Sequence, residues 1–160
     1  MRTIIILSLL SVSILWASGC NRGPQPPADM PKLTPCSVTV VTDDGPLVGA
    51  TIDLYPASGE PGYDWLIQGR TDEIGKATIR TQDRFEGCPA GDFRVMVTKT
   101  VSETSEATSA NLKVKSYSLV DAKYSDRATT PLTLTVGDSP CNEKFELGPS
   151  KKILISQPEN

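Results

Sequence analysis

The sequence predicts an all-β fold, a seven-stranded antiparallel β-sandwich, and three observations carry that reading. From Cys36 onward apolar residues recur with a period of two rather than 3.6, the spacing of a strand with one face on a core. The 12 Gly and 13 Pro among 160 residues interrupt the chain at short intervals, as strands joined by turns require. No amphipathic helical stretch follows the N-terminal apolar run.

Each strand has its own signal. Val38 and Val40 alternate with Ser37, Thr39 and Val41, and Asp43-Asp44-Gly45 then marks a turn. Ala50, Ile52 and Leu54 alternate with Thr51, Asp53 and Tyr55 in a second strand. Trp65 and Ile67 mark a third, which ends at the reversal Thr71-Asp72-Glu73-Ile74-Gly75. Ala77 with Ile79 gives the fourth, and Phe93, Val95 and Val97 the fifth. Leu132, Leu134 and Val136 give the sixth, and Phe145 with Leu147 the seventh. Between the fifth and sixth strands, residues 101–130 read as a long polar loop. Ser, Thr, Glu and Ala dominate its first half, and Tyr117, Leu119, Val120 and Tyr124 pack its return.

The N-terminus reads as an export signal over residues 1–19. Arg2 is followed by Ile4 to Trp16, apolar except for Ser8, Ser11 and Ser13, which is short for a membrane-spanning helix. Ala17-Ser18-Gly19-Cys20 then resembles the lipobox of bacterial lipoproteins, which implies a diacylglycerol on Cys20 and cleavage in front of it. The competing reading is an ordinary secretory signal whose cysteine joins a disulfide. Asn21 rather than Asp after the cysteine points, by the sorting logic of two-membrane bacteria, to the outer membrane. Residues 20–35 carry prolines at 24, 26, 27, 31 and 35, a Pro-rich tether that holds the domain off the bilayer. The sandwich is expected over residues 36–148, with a tail at 149–160.

Composition excludes whole classes of chemistry. With no His, neither a Ser-His-Asp triad, a Cys-His dyad nor a His-ligated metal can be built. A formal net charge of -3 offers no electrostatic footprint for nucleic acid. No cofactor motif is present, and no Cys-x-x-Cys pair supports zinc.

Three further pieces occur in order: Gly45-Pro46-Leu47-Val48-Gly49-Ala50, Thr71-Asp72-Glu73-Ile74-Gly75, and Pro89-Ala90-Gly91-Asp92-Phe93-Arg94-Val95. Together they resemble the carboxypeptidase regulatory-like domain, a transthyretin-like (prealbumin-like) sandwich related in architecture to immunoglobulin-like folds. The stretch from Tyr117 to Thr135 is similar to small bacterial surface lipoproteins that carry this domain singly. The resemblance implies an accessory module and no peptidase activity, and fold alone does not assign function.

The site candidates are therefore few. Asp43, Asp44, Asp72, Glu73 and Asp138 fall in turns, where short carboxylates bond local backbone N–H groups, and they read as solvated turns rather than catalytic or calcium-binding groups. Tyr55, Tyr63 and Trp65 are a possible binding surface for sugars or a protein, although Trp65 alternates with Ile67 and so points to the core. Cys36, Cys88 and Cys141 remain after Cys20 is spent on lipid, and export makes a disulfide the default. In a simple up-and-down sandwich all three lie near one pole; Cys88 with Cys141 is the favoured pair because both sit in loops. The sequence thus predicts a lipid-anchored, non-catalytic envelope domain with a structural or adhesive role. Its expected partners are the membrane, through the N-terminal lipid, and an envelope protein or glycan. A glycan- or ligand-binding accessory lipoprotein is the alternative.

Overall fold

The computed structural model describes residues 25–58, 65–105 and 113–155. The leader, Cys20, Tyr63 and the tip of the 101–130 segment lie outside them. In chain order the strands are β1 (Leu33–Thr34), β2 (Cys36–Thr42), β3 (Gly45–Pro46), β4 (Thr51–Pro56), β5 (Ile67–Arg70), β6 (Lys76–Thr78), β7 (Arg80–Thr81) and β8 (Phe85–Glu86). They continue as β9 (Cys88–Pro89), β10 (Gly91–Thr98), β11 (Thr100–Ser105), β12 (Lys113–Ser118), β13 (Thr133–Val136), β14 (Cys141–Glu146) and β15 (Ile153–Leu154). A 3-10 turn, Ala122–Tyr124, interrupts them.

The protein is an all-β sandwich. One sheet has the order β13-β10-β4-β5-β7-β8, and the facing sheet has β14-β2-β3 with β6 also paired to β2. Alternation decides what lies between them. Ile52, Leu54, Ile67, Phe93, Val95, Val97, Leu134 and Val136 point inward from the first sheet, and Val38, Val40, Ala77 and Phe145 from the second. Burying side chains of this size contributes about 1.5–3 kcal/mol each, so the interlayer core is the main source of stability.

Both conspicuous turns dock at one end of this core. In Thr71-Asp72-Glu73-Ile74-Gly75, Asp72 Oδ1 accepts from the N–H groups of Ile74 (3.0 Å) and Lys76 (2.9 Å). The backbone reverses through Gly75 at φ +75°. The Thr71 hydroxyl accepts from Ala50 N–H at 2.7 Å and donates to the Leu47 carbonyl at 2.5 Å, both buried. The Gly45–Ala50 and Thr71–Gly75 pieces, read separately in the sequence, are thus one packed unit.

Three features differ from the sequence expectation. First, β14 runs parallel to β2, with Cys141 opposite Cys36 and Phe145 opposite Val40, whereas the other pairings are antiparallel. A strand arriving from the opposite sheet can lie in either direction, and period-two alternation is the same for both. Second, the 101–130 segment is not a plain loop: β11 and β12 pair from Thr100↔Ser118 to Ser105↔Lys113. A ribbon satisfies its own backbone groups, so it needs no apolar stripe. Third, the tether and tail each contribute a short strand, β1 on β9 and β15 on β12. Among the described residues no helix is long and apolar enough to cross a membrane.

Candidate functional site

Side chains suited to recognition collect on the outward face of the six-stranded sheet. With Ile52, Leu54, Phe93, Val95 and Val97 turned inward, Thr51, Asp53 and Tyr55 of β4 and Arg94, Met96 and Thr98 of β10 face outward. Strand register sets them in rows. Arg94 lies beside Tyr55; Met96, Asp53, Gln68 and Arg80 form the next row; Thr98, Thr51 and Arg70 the third.

Tyr55 and Trp65 line a single depression of about 240 Å³, together with Asp53, Pro56 and Leu66. Trp65 is half-buried and packs against the core from there. The Arg127 guanidinium sits over the Tyr55 ring, 5.6 Å from its centroid, a cation–π contact. Pro56 is shared with a second depression of about 370 Å³ between Arg94, Asp126 and Arg127. Further along the same face, Arg70, Lys76 and Arg80 line a polar groove of about 500 Å³ with Asp72 and Asp83. Those two carboxylates are engaged within the fold, Asp72 in its turn and Asp83 accepting from Gln68 Nε2 at 2.5 Å.

The ion pairs among the described residues lie elsewhere. They are Lys32–Asp138, Lys144–Glu146 and Lys152–Glu103, all exposed and of little energetic weight. Arg70, Lys76 and Arg80 thus face the groove without a salt-bridge partner among the described residues. Aromatic faces beside unpaired cations can stack on a sugar ring or a planar side chain and neutralise an anionic group.

Asp53 is the carboxylate of the aromatic depression. Burial pushes its pKa above the ordinary 3.8, because the charged form loses water without gaining a counterion. A carboxyl whose pKa is raised on folding adds stability only below its unfolded value, and that contribution disappears as pH rises through the folded value. Asp53→Asn is therefore expected to raise the melting temperature at pH 7 and to leave it unchanged below pH ~3, where both side chains are neutral. Equal shifts at the two pH values, measured by thermal unfolding, would show that desolvation is not the cause.

The turn carboxylates do not converge. Asp43 and Asp44 sit in the β2–β3 turn, Asp72 and Glu73 in the turn before β6, and Asp138 between β13 and β14. No group of three metal-ligating side chains comes together among the described residues.

Two of the cysteines, by contrast, lie side by side: Cys36 is the register partner of Cys141. Cys36 and Cys88 are buried and Cys141 is half-buried, and all three are free thiols. Cys141 lies beside Cys36, and Cys88 is close enough to influence both. Burial first, then neighbouring Cys141, pushes the Cys88 thiol up to about 12. Burial first, then the adjoining Cys141, pushes the Cys36 thiol higher still.

No family model matches the chain, and no curated protein matches it. Among solved structures it is similar to the major pilin subunit of Bacillus cereus, at 18% identity and a TM-score of 0.42, over 73% of this chain and 30% of that one. It is also similar to a 9R-lipoxygenase from Cyanothece, at 12% identity and a TM-score of 0.35, over 77% of this chain and 18% of that one. The chain therefore spans less than a third of either structure, and at these scores neither likeness bears on function.

Proposed function

We propose that this chain is a lipid-anchored, non-catalytic β-sandwich of the bacterial cell envelope with a structural or adhesive role. In this reading acylated Cys20 holds it at the outer membrane, and the domain is a single carboxypeptidase regulatory-like module. The observation that carries the reading is the outward sheet face, where Tyr55, Trp65, Arg70, Arg80, Arg94 and Arg127 surround shallow depressions. Such a surface suits contact. Two-carboxylate hydrolysis needs a second acid group facing the first, and among the described residues Asp53 has none in its depression. The second reading, a glycan-binding accessory lipoprotein, is supported by Tyr55 and Trp65 lining one depression.

One set of fractions tests these points. Membrane-extracted protein should carry lipid on Cys20, and Cys20→Ala should leave the detergent phase. Full retention of Cys20→Ala in detergent overturns the anchor. Binding of the chain to isolated envelope should fall roughly tenfold in Tyr55→Ala, the loss of one stacking contact of about 1.4 kcal/mol. Binding that survives protease treatment of the envelope selects glycan over protein. Unchanged binding by Tyr55→Ala removes this face from the role.

A further inference from the structure

We propose that Cys36 and Cys141 are a disulfide-forming pair across the parallel strands, with Cys88 held apart as a buried third thiol. Cys36 and Cys141 are Cα partners at the first residues of β2 and β14, and in a parallel ladder opposed side chains share a face. Adjacent strands lie about 4.8 Å apart, inside the Cα range of roughly 4.4–6.8 Å that a disulfide accepts. Both residues stand at strand starts, where the ladder has room to adjust to the bridge. Their side chains are near enough to perturb each other electrostatically.

Cys88 is placed differently. It pairs with Thr34, two residues before Cys36, so it reaches Cys36 only on the diagonal, typically about 7–8 Å between Cα atoms. It also lies on the other flank of the N-terminal strand from Cys141. The Pro35 carbonyl accepts from Cys141 N–H, whereas the next carbonyl, that of Cys36, accepts from Ile79 N–H on the opposite side. Gly87 N–H bonds back to Ile79, which puts the Gly87–Cys88 segment on that opposite side as well. A Cys88–Cys141 bridge would have to cross the intervening strand. The pairing favoured by loop flexibility alone is therefore the less accessible one.

Exposure sets the order of events. Cys141 is the thiol that solvent reaches, and Cys36 is 4% exposed. The co-reactant is a small disulfide such as oxidised glutathione. Cys141 loses its proton and its sulfur attacks the S–S bond; one glutathione leaves as a thiolate and takes up a proton, and a mixed disulfide forms on Cys141. Cys36 then loses its proton and its sulfur attacks the Cys141 sulfur, releasing the second glutathione as a thiol. Two protein S–H groups and one small disulfide become one protein S–S bond and two small thiols, with no other oxidant required.

The test uses the full chain incubated with oxidised glutathione, denatured, alkylated and mapped without reduction. The expected result is a Cys36 peptide linked to the Cys141 peptide, with Cys88 alkylated. A Cys88–Cys141 link, a Cys36–Cys88 link, or three alkylated thiols overturns the proposal. Cys36→Ala provides a second reading that needs only local integrity at Cys141. It should trap glutathione on Cys141, whereas a Cys88–Cys141 bridge in that variant refutes the separation of the two flanks. Cys88→Ala should still form the Cys36–Cys141 link, and losing it there counts against the proposal.

Discussion

Gly75→Ala is expected to destabilise the domain by about 2–5 kcal/mol, a large share of the roughly 5–15 kcal/mol that holds a domain of this size. Two independent costs add. At φ +75° an L-residue enters the left-handed region, which costs about 1–2 kcal/mol. The new methyl would also stand 2.5 Å from the Val40 carbonyl oxygen and 3.2 Å from Pro46 Cβ, and the first of these is backbone that cannot rotate away. Relief of that overlap moves β2 against the hairpin, an overpacking cost of about 1–3 kcal/mol. Gly148 separates the two costs. It has nearly the same φ, +74°, but nothing within 4 Å of where a Cβ would stand, so Gly148→Ala should lose only the backbone part. Urea midpoints for the two variants decide the matter, and equal losses would mean that the turn yields without strain.

That turn also shows how far the sequence could be read. Thr71-Asp72-Glu73-Ile74-Gly75 announces a reversal because Asp can bond the N–H groups ahead of it and Gly can take positive φ. It cannot announce what the reversal touches, and here Gly75 rests on Val40 and Pro46 while Thr71 ties down Leu47 and Ala50. The alternating apolar positions from Val38 to Phe145 were legible because burying one face of a strand leaves a period-two trace. β1, β11, β12 and β15 left none. Thr, Ser, Lys and Glu dominate β11 and β12, and β1 and β15 are two residues long, too short for any alternation to register, so a hydrophobicity pattern is silent about all four.

The site was legible in part, for the same reason. Tyr55 and Trp65 stand out as aromatics, and the pairing of β4 with β5, which Trp65 precedes by two residues, brings them to one depression. Arg127 arrives from a distant part of the chain to cover Tyr55, and Arg70, Lys76 and Arg80 gather from β5, β6 and β7. Only the tertiary register creates those neighbours. The cysteines make the same point: strand alternation places three thiols at one end, but flank and register separate Cys88 from the Cys36–Cys141 row.

Phe93→Ala is expected to cost about 3–5 kcal/mol, the usual loss when a buried aromatic ring is removed and the cavity cannot close. The conditions for a large loss are met at this position. Phe93 is 2% exposed on β10, a central strand paired on one side with β13 and on the other with β4. Backbone held by two ladders cannot move into the vacated space. The ring also lies against Gly91, 3.7 Å from where a Cβ would stand, so truncation uncovers main chain as well as side chains. Phe85 is the internal control: it is only half-buried, on the edge strand β8, where solvent can fill the gap. Phe85→Ala should therefore cost less than half as much. Trp65 packs against the core, so its fluorescence reports unfolding of both variants. Phe93→Leu, which restores much of the volume, should recover more than half of the loss. Comparable losses for Phe85→Ala and Phe93→Ala would mean that the edge of the sheet, not the interlayer core, limits the stability of the sandwich.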